Sequence, residues 1–149
     1  TTYYFAFYLV RALDHAGLGD RYTEMLGDWR GMLAKNFTTW PEEPDPTRSD
    51  SHAWSAHPTA DLLRIVAGIQ PASAGFATVR IAPHLGSLKS LNAAMAHPSG
   101  IISVRYRRDG ETLRATIRLP ENVSGEFVWG GQRIVLRGGK NQLRLKSND

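Results

Sequence analysis

The hydrophobic period changes once along this chain, near residue 75, and that switch limits the architectures open to it. Before it, apolar residues recur at three- and four-residue intervals, as on one face of a helix. After it they alternate with polar residues, as in strands buried on one side. Residues 2–16 predict a helix on which Tyr4, Tyr8 and Val10–Leu13 form a broad apolar surface, ended by Gly17-Leu18-Gly19. Asp20 is a suitable N-cap for a second helix over about 21–34, with Tyr22, Met25, Leu26, Trp29 and Leu33 on one face. The short glycine-containing link makes these two an antiparallel pair. A third helix has Pro58 in its first turn and runs to about Ala67; Leu62, Leu63, Val66 and Ile69 are its buried stripe, and Gly68 and Pro71 stop it.

Seven strands follow: Phe76–Ala82, Leu88–Ala96, Gly100–Arg107, Thr112–Leu119, Gly125–Trp129, Arg133–Leu136 and Gln142–Lys146. Asp109-Gly110, Gly130-Gly131 and Gly138-Gly139 are hairpin signals between them. The expected fold class is α+β, helices first and then an antiparallel β-sandwich, with residues 1–74 helical and 75–149 the sandwich. Charge divides the same way. Residues 1–74 carry 6 Lys and Arg against 9 Asp and Glu, whereas residues 75–149 carry 12 against 5.

Several function classes lack their residues. Cysteine is absent, which excludes disulfides, thiolate catalysis and cysteine-zinc sites. No run of about 18 apolar residues occurs, so no membrane-spanning helix is expected. No nucleophile elbow, phosphate loop or dinucleotide fingerprint is present; Gly138-Gly139-Lys140 has the wrong spacing. Arg105 and Arg107 alternate with Val104 and Tyr106, and Arg114 and Arg118 with Leu113, Ala115, Ile117 and Leu119. That is a solvated sheet face over a packed one, without the basic–aromatic interleaving of a nucleic-acid surface. Neither an initiator Met nor a signal-peptide pattern precedes the aromatic stretch Tyr3-Tyr4-Phe5-Ala6-Phe7-Tyr8, so the chain reads as part of something longer.

The chemistry concentrates in residues 36–58. Pro41, Pro44, Pro46 and Pro58 keep most of this segment out of helix and central strand. Trp40 and Trp54 argue for an ordered loop, since disordered segments are poor in aromatics. Glu42 and Glu43 are adjacent carboxylates, one of which could serve as general acid or base; alone, two solvated glutamates are the simpler reading. His52 could orient a hydroxyl or shuttle protons, or be structural. Asp50, His52 and His57 carry metal-ligand chemistry, but nothing in their spacing fixes a site, and no metal or other cofactor is expected. Trp40 and Trp54 could stack on a sugar face or anchor the loop. Arg48 could pin the loop by a bidentate carboxylate contact.

Thr38-Thr39-Trp40-Pro41-Glu42 and Pro44-Asp45-Pro46-Thr47-Arg48-Ser49-Asp50-Ser51-His52-Ala53-Trp54-Ser55-Ala56 resemble the C-terminal part of bacterial α-L-rhamnosidases of glycoside hydrolase family 78. Gly68-Ile69-Gln70-Pro71, Gly75-Phe76, Ile81-Ala82-Pro83 and His97-Pro98-Ser99-Gly100 look like the same family's passage from catalytic barrel to C-terminal sandwich. Pro41 departs from the pattern, where a small residue is more usual, and so does Ser51, where a cysteine is common. The resemblance implies the terminal helices of an (α/α)6 barrel followed by a β-sandwich, in an enzyme hydrolysing terminal α-L-rhamnosides with inversion. It makes Glu42 the general base and His52 a rhamnose contact, and puts the general acid upstream of residue 1. Trp40, Trp54 and Asp50 would complete the sugar site.

The implied partner is a rhamnose-containing glycoside or polysaccharide, not a nucleic acid or a membrane. Self-association, or pairing with the missing N-terminal part, is expected of an isolated fragment. The parent is expected to be bacterial, whether periplasmic, secreted or cytoplasmic. The rival reading is a non-catalytic carbohydrate-binding or structural sandwich with a helical extension. A sugar-binding module would expose Tyr106 and Trp129 on a sheet face; a structural cap would bury them.

Overall fold

The computed structural model describes residues 2–43 and 46–147, so Pro44 and Asp45 of the proline-rich segment lie outside the described residues. The chain divides into two units, Thr1–Leu62 and Leu63–Asp149.

In the first unit, helix α1 (Tyr3–His15) begins where Thr2 Oγ1 accepts the Phe5 N–H at 3.2 Å. It buries Tyr3, Ala6 and Val10, which share one helical face. Tyr4 and Tyr8, expected on the apolar surface, stand on a neighbouring face and are exposed. The single helix expected over 21–34 is wound in two ways. Residues Gly19–Leu26 form 3₁₀ turns, and helix α2 follows at Gly27–Ala34. Asp20 lies inside the first of these turns rather than capping a helix. The tighter winding eclipses residues three apart, so Gly19 and Tyr22 are buried together. It also turns the stripe of α2: Trp29 and Met32 face inward, and Leu33 is 62% exposed. Tyr3, Ala6, Trp29 and Met32 form the core of this unit, with Leu26, Phe37 and Trp40 against it. Helix α3 (Pro58–Asp61) has Pro58 at its start, where the missing N–H costs nothing. The chain then widens into a π-helical turn over Leu62–Val66, in place of the longer third helix expected.

The second unit holds eight strands: β1 (Ile69–Pro71), β2 (Thr78–Ile81), β3 (Ser90–His97), β4 (Gly100–Asp109), β5 (Thr112–Leu119), β6 (Ser124–Trp129), β7 (Gln132–Leu136) and β8 (Gly139–Lys146). They form two four-stranded sheets, β1-β2-β6-β7 and β3-β4-β5-β8. Ile69, Val79, Ile81, Phe127 and Leu136 of one sheet share a core with Ile102, Val104, Leu113, Ile117 and Leu145 of the other. This is a β-sandwich. Each fully buried apolar side chain of this kind contributes about 1.5–3 kcal/mol.

Three features differ from the sequence reading. Strand β1 lies just past the expected end of the third helix near Ala67 and takes Ile69, counted in that helix's stripe, into the sheet: Gly68 (φ +75°) turns the chain out of the π turn, and Ile69 pairs with Ile81. A Cβ at Gly68 would come within 2.2 Å of the Ala82 carbonyl carbon, so only glycine fits. The sandwich is not wholly antiparallel, because β2 and β6 run parallel. Gly125 permits that approach: a Cβ there would lie 1.9 Å from the Val79 carbonyl oxygen. Lastly, Gly138-Gly139 is not a hairpin. It carries the chain from β7 in one sheet to β8 in the other, whereas Gly110 and Gly130-Gly131 do sit in tight antiparallel turns.

Candidate active site

The loop after α2 folds back on itself by main-chain pairing. The His52 N–H donates to the Trp40 carbonyl at 2.7 Å, and the Glu42 N–H donates to the Ser49 carbonyl at 2.9 Å. Thr39 Oγ1 adds a hydrogen bond to the Asp50 carbonyl. Prolines cannot donate in such a ladder, and here the donors are the non-proline residues between them. This fold-back brings residue 42 and residue 52 to one cleft, although ten positions separate them in sequence.

Arg48 closes this loop. Its Nε donates to Glu42 Oε2 at 3.1 Å and its Nη2 to Glu42 Oε1. The same Nε lies 3.6 Å from Glu43 Oε1. The Arg48 hydrogen bond is the main reason that the Glu42 pKa lies below the ordinary carboxylate value. Burial opposes it as the next largest effect, and the charges of Arg48 and His52 add smaller contributions in the lowering direction. The Glu42 side chain is 18% exposed, while that of Arg48 is 76% exposed. Glu42 is thus an ionised carboxylate held by its neighbour and still reached by solvent.

Tyr4, Glu42, Glu43, Arg48, His52 and Trp54 line one open cleft, with Thr2 at its edge. Trp54 is 51% exposed and meets the Tyr4 ring edge-on, with centroids 5.2 Å apart and planes at 84°. The His52 ring lies 6.4 Å from that of Trp54 at an interplanar angle of 33°. An indole face, an imidazole and a carboxylate bordering one hollow can bind a polyhydroxylated ring and activate water beside it.

Of the five site residues read from the sequence, the cleft gathers Glu42, His52 and Trp54. Trp40 packs against the core of Tyr3, Ala6, Trp29 and Met32 and is not among the cleft's lining residues. Its position matches the anchoring alternative. Asp50 is exposed, contributes its main-chain carbonyl to Thr39, and does not line the cleft either. Tyr4 lines the cleft but reads in the sequence only as part of an apolar helix surface. Nothing about a lone tyrosine on an aromatic helix distinguishes it.

The same unit holds a buried polar group that joins residues far apart in sequence. His57 Nδ1 is 2.8 Å from Asp61 Oδ2, and Arg11 Nη1 is 3.2 Å from Asp61 Oδ1. Trp29 Nε1 donates to the Ser55 carbonyl at 2.8 Å, tying α2 to the residues just after His52. The Tyr22 hydroxyl is also buried, and its pKa is raised, first by desolvation and then by the charge of Asp61. His57, one of the three candidate metal ligands, is therefore engaged with Asp61. Among the described residues no three His, Asp or Glu side chains form a group able to hold a metal ion. In the other unit Tyr106 is 1% exposed, its hydroxyl donates to the Ala67 carbonyl at 2.8 Å, and Trp129 packs against the sandwich core. Neither offers the exposed aromatic platform of a sugar-binding module.

Comparison with known proteins follows the same outline. The family model for the bacterial alpha-L-rhamnosidase C-terminal domain matches residues 68–144. No curated protein matches the chain. Among solved structures, an alpha-L-rhamnosidase from Dictyoglumus thermophilum superposes with a TM-score of 0.78 at 15% identity, over 94% of this chain and 20% of that one. A Streptomyces avermitilis alpha-L-rhamnosidase complexed with L-rhamnose gives 0.75 at 20% identity, over 93% and 17%. A GH78 family rhamnosidase of Bacillus sp. GL1 gives 0.75 at 25% identity, over 85% and 15%. This chain spans a fifth or less of the length of those proteins.

Proposed function

Since this chain belongs to the bacterial alpha-L-rhamnosidase C-terminal domain family, we propose that it is the C-terminal part of an inverting α-L-rhamnosidase acting on terminal rhamnosyl residues of a glycoside or polysaccharide. Its helical unit would supply the last helices of an (α/α)6 catalytic barrel, and Glu42 would be the general base. The observation that carries this reading is the placement of an ionised, solvent-reached Glu42 beside His52 and Trp54 in one cleft.

Inversion requires a carboxylate that activates water on one face of the sugar and a carboxylic acid on the leaving oxygen at the other, roughly 6.5–9.5 Å away. Glu42 suits the first role, because it is an ionised carboxylate at neutral pH and Arg48 holds it in place at the cleft. The water it activates would sit on the carboxylate edge left open by Arg48. Glu43 does not suit the second role. It leans on the same guanidinium as Glu42, so the two carboxylates lie on one side of any bound sugar. The acid then comes from a part of the enzyme outside these residues. His52 would direct a hydrogen bond to a sugar hydroxyl, and the exposed Trp54 face would pack on the ring. Trp40 and Asp50 would act by holding the loop, through the core contact of one and the main-chain carbonyl of the other.

The test is Glu42→Gln in the full-length enzyme. It keeps size and hydrogen bonding but removes the base, and kcat should fall by roughly 10²–10⁴ with KM little changed. Glu43→Gln should cost far less. A reversed ranking would move the base to Glu43.

A further inference from the structure

The outer face of the β3-β4-β5-β8 sheet carries rows of cations set directly opposite one another. Arg107 pairs with Arg114, and Arg114 pairs in turn with Arg144. Four residues along β5, Arg118 stands opposite Lys140. Arg107, Arg114, Arg118, Lys140 and Arg144 are all exposed, while their neighbours Tyr106, Leu113, Ile117 and Leu145 are buried on the other side. Like charges directly opposite on adjacent strands destabilise a sheet. Carboxylates could offset that here, but the ion pairs among the described residues of this unit use Arg80, Arg133 and Lys146 instead.

Between the two rows runs a third of different chemistry. Arg105 Nε donates to Asn92 Oδ1 at 3.0 Å, and Thr116 and Gln142 continue the line across β5 and β8. The three rows border two adjoining shallow hollows. Strands lie about 4.8 Å apart, so cations repeat across the face at short, regular steps. Guanidinium forks bind planar carboxylates at two points, and the amide and hydroxyl groups between them match sugar hydroxyls. No aromatic ring stands among the outward residues of these strands to stack on a base or on a neutral sugar.

We propose that this sheet face binds an acidic glycan through its carboxylates, separately from the Glu42 cleft. Charge complementarity and the absence of a stacking platform point to a polyanion; a single-stranded nucleic acid would want exposed aromatics. The choice of a glycan among polyanions rests in one part on the rhamnosidase reading. The test involves no hydrolysis, so its failure and the failure of that reading are distinguishable.

Affinity electrophoresis and calorimetry of the 149-residue chain with polygalacturonate as probe, and dextran as the neutral control, decide the matter. Saturable binding to polygalacturonate alone, weakening steeply as salt rises, is expected. Arg107→Ser, Arg114→Ser and Arg144→Ser together should lower affinity about tenfold or more at low salt. The same charge change at Arg21, Arg30 and Arg137 should leave it nearly unchanged. Arg118→Gln with Lys140→Gln is the second variant, and unaltered circular dichroism shows that either variant is folded. Absence of binding at low salt overturns the proposal. So does an equal loss in the control triple variant, which would mean diffuse charge attraction. Duplex DNA bound as tightly at equal charge concentration would overturn it as well.

Discussion

Arg48 and Glu42 meet through two nitrogens and two oxygens across a six-residue span of loop, a planar fork on a planar carboxylate. The contact closes the loop and at the same time sets the ionisation of the proposed base. Its energy is not that of a buried pair, because the arginine is largely in solvent. Its consequence is electrostatic and geometric.

Removing Arg48 should therefore change a pH profile. Glu42 has its pKa lowered by Arg48, so its ionised form persists to lower pH than an ordinary glutamate with a pKa of about 4.3 would allow. In the full-length enzyme, Arg48→Ala should shift the acidic limb of kcat/KM to higher pH and lower activity at its plateau through loss of loop order. The linked stability has the same sign. With the folded pKa depressed, the contribution is present above the unfolded value and is lost as pH falls through the folded one. An acidic limb that stays in place in Arg48→Ala would show that Glu42 does not govern it.

The sandwich core should distinguish the two faces of β4. Val104 is 3% exposed and Arg105 points outward. Val104→Asp buries a carboxylate without a partner and should cost about 4 kcal/mol or more, enough to lose cooperative thermal unfolding. Arg105→Ala removes one exposed side chain and its hydrogen bond to Asn92, and should change stability by no more than about 0.5 kcal/mol. Equal effects in chemical denaturation would contradict the register.

Gly68 should not tolerate alanine. The residue combines a positive φ with a main-chain neighbour that cannot move aside, since the Ala82 N–H donates to the Gly68 carbonyl at 2.9 Å. Gly68→Ala should destabilise the β unit by roughly 3 kcal/mol. Gly131→Ala is the comparison: its φ is also positive, but nothing lies within 4 Å of the added Cβ, so the loss should be smaller. Urea denaturation of both variants gives the ranking.

The 149-residue chain by itself should not turn over an aryl α-L-rhamnoside. On the function proposed above, one carboxyl of the two-carboxyl mechanism and most of the walls that would position a sugar would come from other residues of the enzyme. Phe5 and Tyr8 of α1 are 57% and 47% exposed, and Leu9 is 39% exposed. Such a patch favours association, so sedimentation should show mass rising with concentration. Robust turnover by a verified preparation would require both carboxyls to be found among these residues.

The strands were legible because each carries its own evidence. Thr112–Leu119 alternates so regularly that its ends in the sequence and in the fold coincide, and Asp109-Gly110 fixes the hairpin that joins it to β4. Three residues of β1 carry too little pattern to be read, and Gly138-Gly139 looks the same in a hairpin as in a crossing between sheets. Their roles depend on which strand lies alongside, and that is non-local.

The sequence by itself determined that helices precede strands, the alternation of the sheets, and the presence of one loop that holds carboxylates with aromatics. Those are properties of spacing and residue type along one stretch of chain. Only the tertiary structure decided that Arg48 takes Glu42 as its bidentate partner, that Trp54 faces the cleft while Trp40 turns to the core, and that Tyr4 joins the cleft. It alone set Arg107, Arg114 and Arg144 abreast, drawn from three strands. A side chain's partner and exposure follow from what other segments bring near it, and no local pattern encodes that juxtaposition.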